Sequence, residues 1–190
     1  MFEKYKIKRK VVKANKAVYD SGLVILTWGN VSAIGKNKES IFIKPSGVPF
    51  EKLTPFKISE VSLNEGSRLS GLKPSVDTDI HLEIYRHFNE VGAVIHTHSS
   101  YATAFAQARL PIPYLGTTHA DYFYGDIPIT GDLNKEEIMY DYEKNIGKKI
   151  VGHFLQNNIN PYQNPAVLIP GHGSVVWGPS VEKALENAVV

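Results

Sequence analysis

The chain has 190 residues, no cysteine, and 21 lysine and arginine residues against 19 aspartate and glutamate residues. The absence of cysteine excludes a disulfide framework, a thiolate zinc site and a cysteine nucleophile, so any metal must be held by histidine and carboxylate ligands. The near-neutral charge balance argues against a nucleic-acid partner. The sequence has neither an apolar span of ~20 residues nor the apolar core of a secretory signal, which indicates a cytoplasmic protein without a membrane partner.

The first 20 residues are locally basic and favour a helix. Ile7, Val11, Ala14 and Val18 recur at three- and four-residue spacing, while the lysines between them occupy the other face. A targeting presequence is an alternative interpretation of the charge. The apolar stripe favours an amphipathic helix whose charged face is solvated.

Beyond this helix, β-rich and helical runs alternate with no linker long enough to divide domains. This pattern predicts one α/β domain over residues 1–190. Strands are predicted at Leu23–Trp28, Ser40–Ile43, Ile58–Leu63, Ala93–His98 and Ala166–Ile169, with a turn-bounded pair near Ile127 and Val175. Helices are predicted from Pro74 to about Asn89, after Ser99, once or twice between Asn134 and Asn157, and from Pro179 or Ser180.

Histidines at two strand ends indicate a metal site. His96 and His98 follow an apolar run and are two residues apart, so on a strand both imidazoles point to the same side. His172 also follows an apolar run, and Asp77 lies at the start of the helix before the histidine pair. Three imidazoles and one carboxylate suit zinc or another divalent metal ion. The other histidines in helical stretches, His81, His87 and His153, are predicted to be structural.

Three turns predict an anion site. They are Gly29-Asn30, Lys44-Pro45-Ser46-Gly47 and Pro74-Ser75-Val76-Asp77. Backbone N–H groups, serine hydroxyls and a helix N-terminus together can cradle a phosphate. Each turn taken alone is more typical of an ordinary β-turn, so the prediction rests on the three together.

A further segment, from Gly116 to Asp126, combines threonines, aromatic residues and Asp121 in what the glycines indicate is a loop. A loop aspartate is most often solvated or capping, so the segment by itself assigns Asp121 no chemistry.

Six segments, taken in order along the chain, closely resemble the L-ribulose-5-phosphate 4-epimerase branch of the class II aldolase/epimerase family. They are Thr27–Ser32, Ile43–Val48, Pro74–Thr78, His96–Ser99, Gly116–Gly125 and Gly171–Gly173. The resemblance covers the chain from about residue 19 onwards. It implies a single three-layer α/β domain with a central, mainly antiparallel β-sheet flanked by helices. It also implies a C4 homotetramer with active sites between subunits and a phosphorylated pentulose as substrate.

The resemblance further implies roles for individual residues. Asp121 matches the acid/base of the epimerases, with Thr117 near it and Lys44 near the substrate. The implied zinc ligands are Asp77, His96, His98 and His172, and the implied phosphate-binding residues are Gly29, Asn30, Ser46, Gly47, Ser75 and Val76.

The implied reaction breaks and re-forms the bond between carbons 3 and 4, because the hydrogen on carbon 4 is not acidic. A Lewis acid stabilises the enediolate fragment, the bound phosphate retains the aldehyde fragment while it rotates, and an acid/base serves each aldehyde face.

Two features differ from the epimerase pattern. Val76 stands where a second serine is usual, and the tyrosine that serves as the second acid/base belongs to a C-terminal tail that the 190 residues lack. Two other functions therefore stay open. One is a sugar-phosphate aldolase of the L-fuculose-1-phosphate type, although such enzymes carry glutamate where Asp77 stands. The other is a non-catalytic assembly domain like the head of adducin, although such domains tend to lose the metal ligands.

Overall fold

A seven-stranded antiparallel sheet forms the centre of the protein in the computed structural model, which describes residues 2–190. The strands are β1 (Asn30–Ile34), β2 (Ser40–Ile43), β3 (Ser59–Ser62), β4 (Arg68–Ser70), β5 (Ala93–Thr97), β6 (Ala166–Ile169) and β7 (Gly173–Gly178). Their order across the sheet is β4-β3-β2-β1-β5-β7-β6. The second strand of the chain's C-terminal hairpin therefore lies beside β5, and the first strand, β6, forms the edge of the sheet.

Within residues 2–190, seven helices cover the two faces of the sheet. They are α1 (Phe2–Asp20), α2 (Thr78–His87), α3 (Ser100–Ala108), α4 (Thr117–Tyr122), α5 (Lys135–Met139), α6 (Tyr142–Gln156) and α7 (Val181–Val189). A short 3₁₀ turn spans Phe50–Lys52. The α2 and α6 helices enclose one apolar core with the sheet, and α1 and α7 enclose another on the opposite face. The predicted three-layer α/β arrangement is confirmed.

Alternating burial along the strands explains why both faces of the sheet carry apolar side chains of the core. Along β5, Val94 packs into the core beneath α2 and α6, whereas Ala93 and Ile95 pack into the core beneath α1 and α7. Successive side chains of a strand point to opposite faces, so His96 shares the α2 face with Val94. None of the helices in residues 2–190 combines the length and apolar character needed to cross a membrane.

The predicted strand at Leu23–Trp28 is wrong. The segment forms turns, with the amide of Trp28 donating to the carbonyl of Ile25 and with Leu26 in the left-handed region at φ 55°. Of its apolar side chains Val24 is buried, whereas Ile25, Leu26 and Trp28 are at least half exposed. An apolar run predicts a strand only if the fold buries it, and here the first strand begins at Asn30.

Most other predicted elements are confirmed within a few residues. The strand predicted at Ile58–Leu63 is shorter and spans Ser59–Ser62, and the one predicted to reach His98 ends at Thr97. Val175 lies in β7, but Ile127 makes only an isolated bridge to Ile112. The segment that contains Asp121 was predicted as a loop and instead forms α4, whose N-terminal Gly116 has extended backbone geometry.

Candidate metal centre and anion-binding cavity

Strand pairing brings the three predicted histidine ligands together. His96 lies near the end of β5 and His98 just beyond it, so both project to the α2 face. His172 lies in the turn between β6 and β7. Because Thr97 of β5 pairs with Ser174 of β7, that turn is held directly beside the histidine pair.

The glycine after His172 permits this close approach. A Cβ atom at Gly173 would lie 2.4 Å from the carbonyl oxygen of Thr97 and 3.1 Å from Cδ2 of His98. A side chain at position 173 would therefore require the backbone to move away from the Thr97 carbonyl. Gly173 therefore allows the β6–β7 turn to pack against the end of β5, which places His172 against its two partners.

The three imidazoles converge on one point. Their ring centroids are 4.8–4.9 Å apart, and the rings are tilted by 76–78° to one another. One nitrogen from each ring lies within 4.8 Å of the others, and Nε2 of His96 is 3.0 Å from Nε2 of His98. Three near-perpendicular rings with facing nitrogens are the arrangement that a single cation requires from three histidine ligands.

The protonation of the rings also fits a metal. The Nδ1 of His96 lies 2.9 Å from the backbone carbonyl of Ser174, so it donates its proton there and Nε2 presents a lone pair. Burial lowers the pKa of His172 to about 4 and lowers that of His98 as well, and the neighbouring rings act in the same direction. Neutral imidazoles at neutral pH are the form that binds Zn²⁺. The buried Nδ1 of His172 has no partner among residues 2–190.

Asp77 lies in the same cavity but outside the three-histidine group. It is the residue before α2, and its Oδ2 accepts hydrogen bonds from Nδ2 of Asn30 at 2.6 Å and from Oγ of Ser75 at 3.1 Å. Burial raises the pKa of the carboxyl, but His96, His81 and the Asn30 amide outweigh it, so the pKa lies below its ordinary value. Asp77 is thus a charged carboxylate held beside the histidines.

The turns of the predicted anion site line the same cavity. An isolated bridge joins Pro45 to Pro74, and the amide of Ser75 donates to the carbonyl of Lys44 at 3.1 Å, so two of the turns lie side by side. The cavity has a volume of about 420 Å³. Its lining includes Gly29, Asn30, Lys44, Ser46, Gly47, Ser75, Val76, Asp77, His96, His98 and His172.

Lys44 is a buried cation in the cavity wall. Its side chain is only 2% exposed, and Nζ donates to the carbonyl of Thr27 at 2.9 Å and lies 4.7 Å from the ring centre of Phe50. Burial lowers its pKa to about 8, against the opposing effect of Asp77. The lysine is therefore positively charged at neutral pH but can lose its proton in mildly alkaline solution.

Some cavity residues were not among the predicted site residues. Tyr142 and Glu143 enter the lining from the first turn of α6, and the Tyr142 ring stacks on His172 with 6.4 Å between centroids. Trp28 lies 6.3 Å from the His98 ring. No local motif marks Tyr142 or Glu143, because only the packing of α6 against α2 brings them to the histidines.

Two predicted site residues lie elsewhere. Thr117 and Asp121 are on α4, both are exposed, and neither lines this cavity. The single chain therefore brings together all of the predicted metal-binding and phosphate-binding residues and leaves the predicted acid/base apart from them.

Comparison with known proteins gives a consistent fold assignment. Residues 9–190 match the model of the family described as Class II Aldolase and Adducin N-terminal domain. Similar solved structures include an L-fuculose 1-phosphate aldolase, with 23% identity over 96% of this chain and 80% of the other and a TM-score of 0.78. An L-fuculose-1-phosphate aldolase from Thermus thermophilus has 24% identity, coverage of 96% and 85%, and a TM-score of 0.72. A sugar-phosphate aldolase from Thermotoga maritima has 18% identity, coverage of 96% and 89%, and a TM-score of 0.74.

Proposed function

Since this chain belongs to the class II aldolase and adducin N-terminal domain family, we propose that it is a zinc-dependent L-ribulose-5-phosphate 4-epimerase. It would interconvert L-ribulose 5-phosphate and D-xylulose 5-phosphate in pentose catabolism such as that of arabinose. The observation that carries the proposal is the single cavity that is lined both by three convergent histidines and by clustered serine and glycine turns.

The groups that line the cavity suit the two ends of a pentulose 5-phosphate. His96, His98 and His172, with Asp77 as a fourth ligand, would hold a divalent cation. When bound, the cation supplies Lewis-acid stabilisation of negative charge on the ketone end of the substrate. Backbone and hydroxyl groups of Gly29, Asn30, Ser46, Gly47, Ser75 and Val76 would bind the phosphate, and this anchor would retain the aldehyde fragment after carbon–carbon cleavage.

Val76 differs from the serine that is usual in epimerases and leaves the proposed phosphate site one hydroxyl short. Its side chain is 59% exposed at the cavity rim, so it contributes a backbone N–H but no hydroxyl. The hydroxyls of Ser46 and Ser75 and the charge of Lys44 remain as phosphate-binding groups in this proposal.

Asp121 requires a second copy of the chain to act as the acid/base. It is exposed on α4 and does not line the cavity of its own chain. A homotetramer with C4 symmetry would bring α4 of one copy, with Asp121 and Thr117, to the cavity of the next. In that arrangement the Asp121 carboxyl would exchange the proton of the C4 oxygen on one aldehyde face.

A sugar-phosphate aldolase is the second candidate. The solved structures with the same fold include aldolases, and Asp77 lies outside the three-histidine group, where a carboxylate could act as a base rather than as a ligand. The short aspartate side chain reaches less far into the cavity than the glutamate usual in aldolases, which favours the epimerase. A non-catalytic domain of the adducin type is disfavoured, because all four proposed ligand residues are retained.

The proposed function predicts a metal-dependent activity. We expect the purified protein to convert L-ribulose 5-phosphate to D-xylulose 5-phosphate, measured with an assay specific for the ketose product. EDTA should abolish the conversion and Zn²⁺ should restore it. Conversion that survives complete removal of metal, verified by elemental analysis, would refute the metal-dependent mechanism.

The lowered pKa of Lys44 predicts a pH dependence of substrate binding. Its pKa of about 8 means that the ammonium is lost as the pH rises through 8, so attraction for the phosphate weakens above that pH. We expect KM to be constant below pH 7 and to rise by up to about tenfold per unit above pH 8. Lys44→Arg should keep KM constant over this range, because arginine stays charged. An unchanged pH dependence in Lys44→Arg would assign the titration to another group.

A further inference from the structure

A buried polar cluster joins β1 to α2 directly behind the cavity. Ser32 and His81 are fully buried and Tyr85 is 3% exposed. The Oγ of Ser32 lies 2.7 Å from Nδ1 of His81 and 2.8 Å from the hydroxyl of Tyr85. None of the three lines the cavity, and Tyr85 and the neighbouring side chains of α2 belong to the apolar core.

This cluster lies next to the hydrogen bonds that hold Asp77, on the same strand and the same helix. Asn30 and Ser32 lie two residues apart on β1, and Asn30 bonds to Asp77 while Ser32 bonds to His81 and Tyr85. Asp77, His81 and Tyr85 are spaced by four residues, from the residue before α2 to its last turn, so they lie on one side of the helix. Two strand residues span about 6.6 Å and four helical residues about 6 Å, so the two polar rows match in spacing.

The cluster is electrically neutral. Burial lowers the pKa of His81 to about 3, and burial also raises the pKa of Tyr85. Neutral buried polar groups give little net stability compared with apolar side chains of the same shape, but they are costly when their partners are displaced. The hydrogen bonds to Ser32 therefore penalise any shift of α2 along β1. Such a shift would move Asp77, which begins the helix.

We propose that Ser32, His81 and Tyr85 are positioning residues that hold Asp77 against the three histidines. The proposal rests on the role of Asp77 in the proposed function. Oδ1 of Asn30 and Nε2 of His81 have no partner among residues 2–190. The Asn30 amide is therefore held only through its nitrogen and the His81 ring only through Nδ1. The Ser32 hydroxyl is then the contact that fixes His81.

The test is a double-mutant cycle between Ser32 and Asp77, measured as the Zn²⁺ dissociation constant by competition with a chelator. We expect Asp77→Asn to weaken binding, and Ser32→Ala to weaken it by about tenfold, as is typical for groups that orient ligands. In the Asp77→Asn background, Ser32→Ala should have little further effect, because the residue it positions is already altered.

Ser59→Ala is the matched control. Ser59 is also fully buried on a strand, and its hydroxyl donates to the carbonyl of Leu72 at 2.8 Å, away from the cavity. It should lower the thermal unfolding midpoint about as much as Ser32→Ala and leave Zn²⁺ affinity unchanged. Tyr85→Phe removes one hydroxyl without changing the packing and provides a milder variant if Ser32→Ala fails to fold. It should weaken Zn²⁺ binding in the same direction.

The outcomes separate this proposal from the proposed function. If the wild-type protein forms no D-xylulose 5-phosphate but the cycle shows coupling, the positioning proposal holds and the epimerase function fails. If the epimerase is active but Ser32→Ala and Asp77→Asn act independently on Zn²⁺ affinity, the positioning proposal is overturned and the function stands. A wild-type protein that binds no Zn²⁺ overturns both.

Discussion

His96→Ala should strongly weaken metal binding and, with it, catalysis. His96 is 1% exposed, and its Nε2 faces His98 while Nδ1 is held by the carbonyl of Ser174. A structural zinc site contributes about 10–16 kcal/mol of apparent binding free energy, or roughly 3 kcal/mol for each of four ligands. Loss of one ligand should therefore weaken Zn²⁺ binding by on the order of 100-fold or more, as measured by chelator competition.

The control for this variant is His87→Ala. His87 is an exposed histidine on α2 and belongs to neither the cavity nor the three-histidine group. It should keep wild-type Zn²⁺ content and activity. Unchanged Zn²⁺ affinity in His96→Ala would contradict the metal centre and would favour a non-catalytic domain of the same fold.

Two inactive variants should restore activity when they are combined in one assembly. Asp121→Asn should lower kcat by about 10²- to 10⁴-fold, because it removes a general acid/base. If Asp121 serves the cavity of the next copy, His96→Ala and Asp121→Asn subunits co-expressed in equal amounts should form hybrid sites with both residues intact. Such sites would make up about a quarter of the total in a C4 ring.

Each variant carries a different affinity tag, so that mixed assemblies can be purified by both tags in turn. The specific activity of these mixed assemblies is compared with that of each variant alone. Asp20→Asn, an exposed carboxylate at the end of α1, is the matched control for the charge change and should retain full activity. A mixture no more active than its components would show that Asp121 does not complete a neighbouring site.

The sequence predicted the centre of the site because its signals are local. His96 and His98 project together for the same reason that any i, i+2 pair on a strand does, and His172 follows its own apolar strand. The pairing of β5 with β7 was not predicted, and it is this pairing that brings the third histidine to the first two.

Other features depend on packing that no local pattern reports. Leu23–Trp28 is apolar enough for a strand, but its neighbours leave Ile25, Leu26 and Trp28 exposed and the backbone turns. Tyr142 reaches the cavity because α6 packs on α2, which brings the start of α6 to the end of the sheet that carries the histidines.

The position of Asp77 was predicted only in part. Its place at the start of α2 follows from the preceding proline and the helical stripe, as expected. Its hydrogen bonds to Asn30 and Ser75, and its separation from the three-histidine group, depend on how α2 lies on β1. Whether Asp77 serves as a metal ligand or as a base therefore depends on how α2 is positioned along β1.

The fate of L-ribulose 5-phosphate tests the epimerase function most directly. The purified zinc-loaded protein is incubated with L-ribulose 5-phosphate, and all products are quantified by NMR as the reaction approaches equilibrium. The epimerase mechanism predicts D-xylulose 5-phosphate as the product, with no accumulation of smaller fragments, because the bound phosphate retains the aldehyde. Release of free dihydroxyacetone and glycolaldehyde phosphate without D-xylulose 5-phosphate would contradict it and identify the protein as an aldolase.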